Sequence, residues 1–383
     1  MTSGVRHTID RNYSLDLLRI LSMFGIVLLH SGSHGGTLAI SEGLNIYTLM
    51  FHGIESLAIS SVNVFILISG YFLCNQSFRL SRIFSLVLTV VFYSLLGVAI
   101  AAYVNDDVFS VKVFIKSLFP VSYVQYWFIS AYIVMCLLSP LINFMVKGMT
   151  RRQHLLCIIL LLLVFCIWPD IMIYSYPSGV KNVGSSALWF FVLYIVAAYI
   201  KRWKIVYKPI RTIGIYFVSS AALLAIWSIL VIVTKTTDFK NEADGLVTFY
   251  YYRYNSLLVF IASVSLFIGF LNLNIKRTFF KKVIRVVAPL MLGVYLIHDN
   301  NHFRGYVWSG LRGLEPSLFS PFFVIGYALI VFGVCAFLDF IRMALFGVID
   351  KRIWYRKCMD GVDLIPDYIE TKLEILFNRQ DNA

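Results

Sequence analysis

Residues 14–32 read SLDLLRILSMFGIVLLHSG, an apolar run long enough to cross a bilayer that nonetheless carries Asp16, Arg19 and His30. A spanning helix needs roughly 20 apolar residues. An ionisable side chain at that depth is costly, so each one marks a candidate functional position. On a helix, Arg19 and His30 return to within about 20° of one face and lie roughly 16 Å apart along the axis. One face of one helix therefore sets a cation near one membrane boundary and an imidazole near the other, an arrangement that suits a long substrate. Asp16 and Arg19, at i and i+3, also read as a neutralising pair, and His30 also reads as an interfacial residue. Arg6 and Arg11 precede the run and no A-x-A site follows it, so it reads as a retained first span and not a signal peptide.

Outward from this run the same pattern repeats. The chain has 383 residues, 59% hydrophobic and only 14% charged, with a mean hydropathy of +0.79. A soluble protein is nearer a quarter charged. The expectation is an all-α, polytopic membrane protein of about ten transmembrane helices: 14–33, 53–74, 83–104, 126–147, 154–173, 186–203, 210–233, 248–272, 285–303 and 320–346. The segment 108–121, with Lys112 and Lys116 on one side, reads as an amphipathic helix lying in the interface. Residues 1–350 form one membrane domain, and 351–383 a polar, cytoplasmic C-terminal tail.

The net charge of +13 does not point to nucleic acid, because the basic residues sit in short clusters between apolar runs. Arg79 and Arg82, Lys147 to Arg152, Lys201 to Arg211 and Lys276 to Arg285 all fall in alternate loops. By the positive-inside rule those loops, and both termini, are cytoplasmic. The six cysteines show neither CxxC nor metal spacing, and no His/Cys/Asp/Glu group has ligand spacing, so no metal is expected.

The second run ends SSVNVFILISGYFLCNQSFRLSR. Ser69 and Gly70 are small enough for close helix packing. Arg79 and Arg82 offer two guanidinium forks near one point, a phosphate clamp or plain positive-inside charge. His298 and Asp299 close the ninth run. Trp127 and Phe128 read as a membrane belt or as packing against a donor channel, and the aromatic run Phe249 to Tyr254 as a belt or as a surface that stacks on sugar rings.

Together these pieces resemble the acyltransferase 3 superfamily of multi-span membrane O-acyltransferases. The LDLLR stretch with Arg19 and His30 is similar to its opening motif. Asn63 to Phe72 (NVFILISGYF) resembles its Phe-rich stretch ending in Ser-Gly-aromatic. Arg79-Leu80-Ser81-Arg82 matches the RxxR of the sugar-modifying members. Tyr126 to Ile142 and Leu292 to His298 resemble two later motifs. Asn63 departs from the pattern, since many members carry Asp near that position.

The resemblance implies transfer of an acyl group, usually acetyl from acetyl-CoA, to a hydroxyl of a cell-surface glycan or its lipid-linked precursor, by a multi-pass protein of a bacterial inner membrane. Acetyl-CoA is then a donor substrate, with no metal required. Its phosphates need cations at the inner face, and Arg19, Arg79 and Arg82 are expected there. His30 is the expected general base, or a transient acyl carrier. Glu55, on the same side as His30, is the candidate orienting acid. Asp16, Ser69, Gly70, Trp127 and His298 are candidate supporting residues. A transporter or flippase of a lipid-linked glycan is the alternative, in which Arg19 and His30 line a path.

Overall fold

The computed structural model describes residues 11–37, 44–104, 110–171, 183–236, 252–350 and 352–366, and among them no strand occurs. The first helix, α1 (Tyr13–Ser33), is capped by the Asn12 side chain, which accepts from the Ser14 and Leu15 amides. Next, α2 (Ile46–Ala58) starts ahead of the apolar run read from sequence, because Asn45 and Thr48 form a reciprocal capping box. His52 therefore sits in a helix. After a break at Ile59 and Ser60 the chain continues as α3 (Ser61–Leu73).

The remaining helices are α4 (Leu80–Val104), α5 (Val111–Leu118), α6 (Trp127–Gly148), α7 (Arg151–Ile171), α8 (Ala187–Arg202), α9 (Pro209–Thr236), α10 (Leu257–Leu271), α11 (Thr278–Val287), α12 (Met291–His298), α13 (Ser320–Asp350) and α14 (Ile353–Asp363). Seven segments among the described residues are long and apolar enough to cross a membrane: α1, α2 with α3, α4, α6, α7, α9 and α13. The other three expected spans are shorter. Helix α8 has 16 residues and α10 has 15. The segment 285–303 is divided: α11 ends, a turn runs through Pro289, and α12 has only 8 residues. Proline stops α11 because it has no N–H to donate, and eight residues rise only about 12 Å. Such a break is tolerated at membrane depth where protein surrounds it, and Met291, Val294, Tyr295 and His298 are all buried.

Burial sorts the helices into a core and a ring. Val64, Ile66, Leu67 and Ile68 of α3 are wholly buried. Two glycines let the neighbours approach it: a Cβ on Gly25 of α1 would strike the Ser61 hydroxyl, and one on Gly70 would lie 2.9 Å from the Tyr194 Cα of α8. The outer helices instead expose apolar side chains, Phe144 at 80% and Ile330 at 66%. Bare phenyl and butyl groups on a continuous surface have lipid as their solvent. This is a helical membrane protein.

The basic loops meet at one end of the bundle. Arg285 donates to the Tyr13 hydroxyl at 2.6 Å, Lys201 to the Tyr71 carbonyl at 2.7 Å, and Arg202 to the Val146 carbonyl. Helix α14, from the segment read as a tail, is fastened at the same end: the Ser81 amide and hydroxyl both donate to Asp363 at 2.8 Å. The 8-residue α5 exposes Val111, Phe114 and Ile115 and buries Ser117.

Candidate active site

Helix α1 carries the site along its length. Near the basic end Asp16 is gripped by Arg11 at 2.5 Å and Arg19 at 3.0 Å. The Arg19 guanidinium also lies over the Phe72 ring, 5.4 Å from its centre. Asp16 thus anchors Arg19, which lines a cavity of about 280 Å³ together with His30. Ser69 of α3, Trp127 and Tyr132 of α6, Tyr254, and Tyr295 of α12 contribute to the walls. A second cavity, of about 230 Å³, is lined by Arg79 and Arg82. Leu86 and Tyr132 line both cavities, so the two adjoin. Arg82 donates to the Gln76 side chain at 2.5 Å.

The other end of the first cavity is a histidine relay. His30 Nδ1 lies 2.9 Å from His298 Nε2, and His298 Nδ1 lies 2.5 Å from the Val294 carbonyl oxygen. A carbonyl can only accept, so neutral His298 carries its proton on Nδ1 and presents a lone pair at Nε2. His30 must then donate from Nδ1, which leaves its Nε2 lone pair free. The pairing therefore fixes which nitrogen of His30 is basic. Asp299 completes the group. Its carboxylate is 3.9 Å from His30 Nδ1, accepts from His34 Nε2 at 3.0 Å and from Arg304 at 3.4 Å, and is 4% exposed.

Glu55, the expected orienting acid, does not serve His30. It pairs with His52 Nδ1 at 3.0 Å, and His52 stacks on Trp227 at 3.8 Å between ring centres. Glu55 has the depth expected of the orienting acid, but its hydrogen-bond partner is His52, one turn back on its own helix. Asp299 takes the place instead. His34 joins it.

Among the described residues His30, His34 and Asp299 bring one ligand-type atom each to within 4.8 Å of one another, a set able to hold a cation. The sequence showed no metal spacing because His34 and Asp299 are 265 positions apart. His34 already donates to Asp299 at 3.0 Å and His30 pairs with His298 at 2.9 Å, both ordinary hydrogen-bond lengths, while Asp299 stands 3.9 Å from His30.

Trp127 stacks on Tyr254 at 5.7 Å. Of the aromatic run read from sequence, Phe249, Tyr250 and Tyr251 lie outside the described residues. Asn63 holds this wall in place. Its amide donates to the Tyr254 carbonyl at 2.7 Å and accepts from the Trp189 indole at 3.0 Å. A carboxylate there has no proton for the Tyr254 carbonyl, which is the physical content of the Asn in this chain. Gly70 packs α3 on α8 and does not line the cavity. Asp339 and Arg342 pair at 2.6 Å, and the Tyr93 hydroxyl donates to the same carboxylate.

A family model described as an acyltransferase domain, of the acyltransferase 3 family, matches residues 12–339. The chain belongs to this family. Comparisons with curated proteins and with solved structures gave no match. The matched region of the acyltransferase spans every cavity residue named above and ends before α14, so Asp363 and its contact with Ser81 lie beyond it. Sequence reading missed Tyr295, Tyr132 and the convergence on Asp299. The one local signal was the His-Asp pair closing the ninth run.

Proposed function

We propose that this acyltransferase moves an acetyl group from acetyl-CoA to a hydroxyl of a cell-surface glycan or its lipid-linked precursor, in a bacterial inner membrane. The observation that carries the reading is the cavity bounded by Arg19 at one end and His30 at the other. Coenzyme A is anionic and long. Its phosphates suit Arg79 and Arg82, its arm suits the adjoining cavity, and its thioester then reaches His30. In this reading the basic end faces the cytoplasm, where the donor is, both termini are cytoplasmic, and the shorter helices complete ten crossings. The acceptor approaches the histidine end.

His30 acts through Nε2 as general base. It removes the acceptor hydroxyl proton as that oxygen attacks the thioester carbonyl carbon. A C–O bond forms and the carbonyl π pair moves onto oxygen. Collapse of this tetrahedral species breaks the C–S bond, and the departing CoA thiolate takes the proton back from His30. His298 fixes the tautomer, and Asp299 stabilises the transient imidazolium, as in other base–orienter pairs. A transient acyl-His30 is the second route. The transporter reading gains no support from membership of an acyltransferase family.

The test is mass spectrometry of surface glycans from cells with the gene, without it, and with His30→Ala. Loss of one acetyl mass per repeat in both the deletion and the variant is expected. An unchanged glycan in the deletion would remove the glycan acceptor from the proposal.

A further inference from the structure

The relay hangs on the end of a very short element. His298 is the last residue of α12, a helix of 8 residues, and Asp299 follows it directly. A helix of that length is marginal on its own hydrogen bonds and holds its shape through packing. Contacts from outside α12 therefore have to set where His298 and Asp299 stand relative to His30 on α1.

The next residue, Asn300, is wholly buried. Its amide nitrogen donates at 2.9 Å to the Tyr93 carbonyl of α4, and at 2.9 Å to the hydroxyl of Tyr126, just before α6. Its amide oxygen accepts from the His302 backbone at 3.0 Å. Tyr126 passes the contact back to α12, since its hydroxyl donates to the Leu296 carbonyl at 3.1 Å. The main-chain carbonyl of Asn300 accepts from the Arg304 amide at 2.8 Å, in the turn whose Arg304 side chain reaches Asp299. Tyr93 also holds the other end of α12. Its hydroxyl donates to Asp339 at 2.6 Å, and a Cβ on Gly293 would strike that carboxyl group. The space around Asn300 is tightly filled: a Cβ on Gly97, one turn along α4 from Tyr93, would strike its side-chain amide. Asn300 lines neither of the two adjoining cavities.

We propose that Asn300 is a positioning residue for acyl transfer: by tying the end of α12 to α4 and to Tyr126, its side-chain amide sets the place at which His298 and Asp299 meet His30. This deepens the acyl-transfer reading and rests on it. No bond forms or breaks at Asn300, and it reaches the reaction only through the relay. A displacement of about 1 Å at a catalytic group can cost about 10²-fold in rate, so a clamp on the residue next to Asp299 has leverage over the chemistry without touching a substrate.

The experiment uses the full chain in lipid nanodiscs, with release of labelled acetyl from acetyl-CoA as readout. Wild type, Asn300→Asp and Gly97→Ala are compared. Each kcat is expressed per mole of protein that binds acetyl-CoA, counted by calorimetry, so that a loss of folded protein alone leaves it unmoved. Asn300→Asp keeps the shape of the side chain but cannot donate to the Tyr93 carbonyl. Its normalised kcat is expected to fall about 30–100-fold, the scale of a misplaced relay, with the KM for acetyl-CoA within about threefold. Gly97→Ala keeps the Asn300 amide and pushes it, so a smaller fall of about tenfold is expected, again at nearly constant KM. An unchanged normalised kcat in Asn300→Asp, or a fall accompanied by an equal rise in KM, would overturn the role of Asn300 while leaving acyl transfer standing. If Asn300→Asp does not fold, Gly97→Ala decides alone, and an unchanged normalised kcat there overturns the proposal. No turnover of acetyl-CoA by the wild type would overturn the donor assignment and this role with it.

Discussion

The two ends of α1 solve different problems with similar residue types. At the basic end, cations are partly exposed: the Arg19 side chain is 32% accessible, and Arg79 and Arg82 line the adjoining cavity. At the other end His298 is wholly buried, and both its ring nitrogens have assigned partners. The first end can adapt to a mobile, anionic ligand, and the second is fixed before anything arrives. Binding tolerates adjustable charge, whereas proton transfer at one nitrogen requires a set tautomer and orientation. The difference teaches that charge within a span is not one signal but two, and that hydrogen-bond closure tells them apart.

Substitutions that sort the ends sharpen this contrast. His298→Leu removes the acceptor that orients His30, and kcat is expected to fall roughly 100-fold, the scale of a misplaced catalytic group. His298→Gln, whose amide oxygen can accept, is expected to recover part of that loss. Equal losses in both would erase the distinction between orientation and packing, read by steady-state kinetics with acetyl-CoA. Arg79→Ala and Arg82→Ala are each expected to raise the KM for acetyl-CoA about tenfold at nearly constant kcat, since each removes one charge-assisted contact. A fall in kcat without a KM change would place these arginines in the chemistry instead.

Asn63→Asp tests the wall between the ends. It leaves the Tyr254 carbonyl unpaired and buries a carboxylate, so stability is expected to drop by about 1–3 kcal/mol, seen as a lower melting temperature in detergent. Glu55→Gln is expected to leave kcat within about twofold, because Glu55 serves His52. A loss near that of His298→Leu would return Glu55 to the active site.

The helical membrane fold was largely legible, because apolar run length is a local property and every expected span contains helix. The limits lay where tertiary packing sets length. Pro289 was visible, but nothing in 285–303 showed that α12 would be a buried half-helix. Arg19 and His30 were found because one helix face brings them together, a relation that spacing encodes. Asp299, His298 and His34 were not joined to His30 on sequence, because their meeting depends on how α12 packs against α1. Glu55 shows the same limit from the other side: it has the right depth, but its partner is His52 on its own helix, and depth alone is what hydropathy reports. The segment beyond 350 was read as a tail because it is polar, whereas its first helix is held by the Asp363 contact with Ser81.

The central claim is that His30 does chemistry at the end of a path that other residues use for binding. The most direct test separates the two on one variant. With His30→Ala in nanodiscs, acetyl-CoA binding measured by calorimetry is expected to stay within a few-fold of wild type, while labelled acetyl transfer falls by about 10³-fold or more. Transfer at the wild-type rate, or loss of donor binding together with activity, would contradict the account.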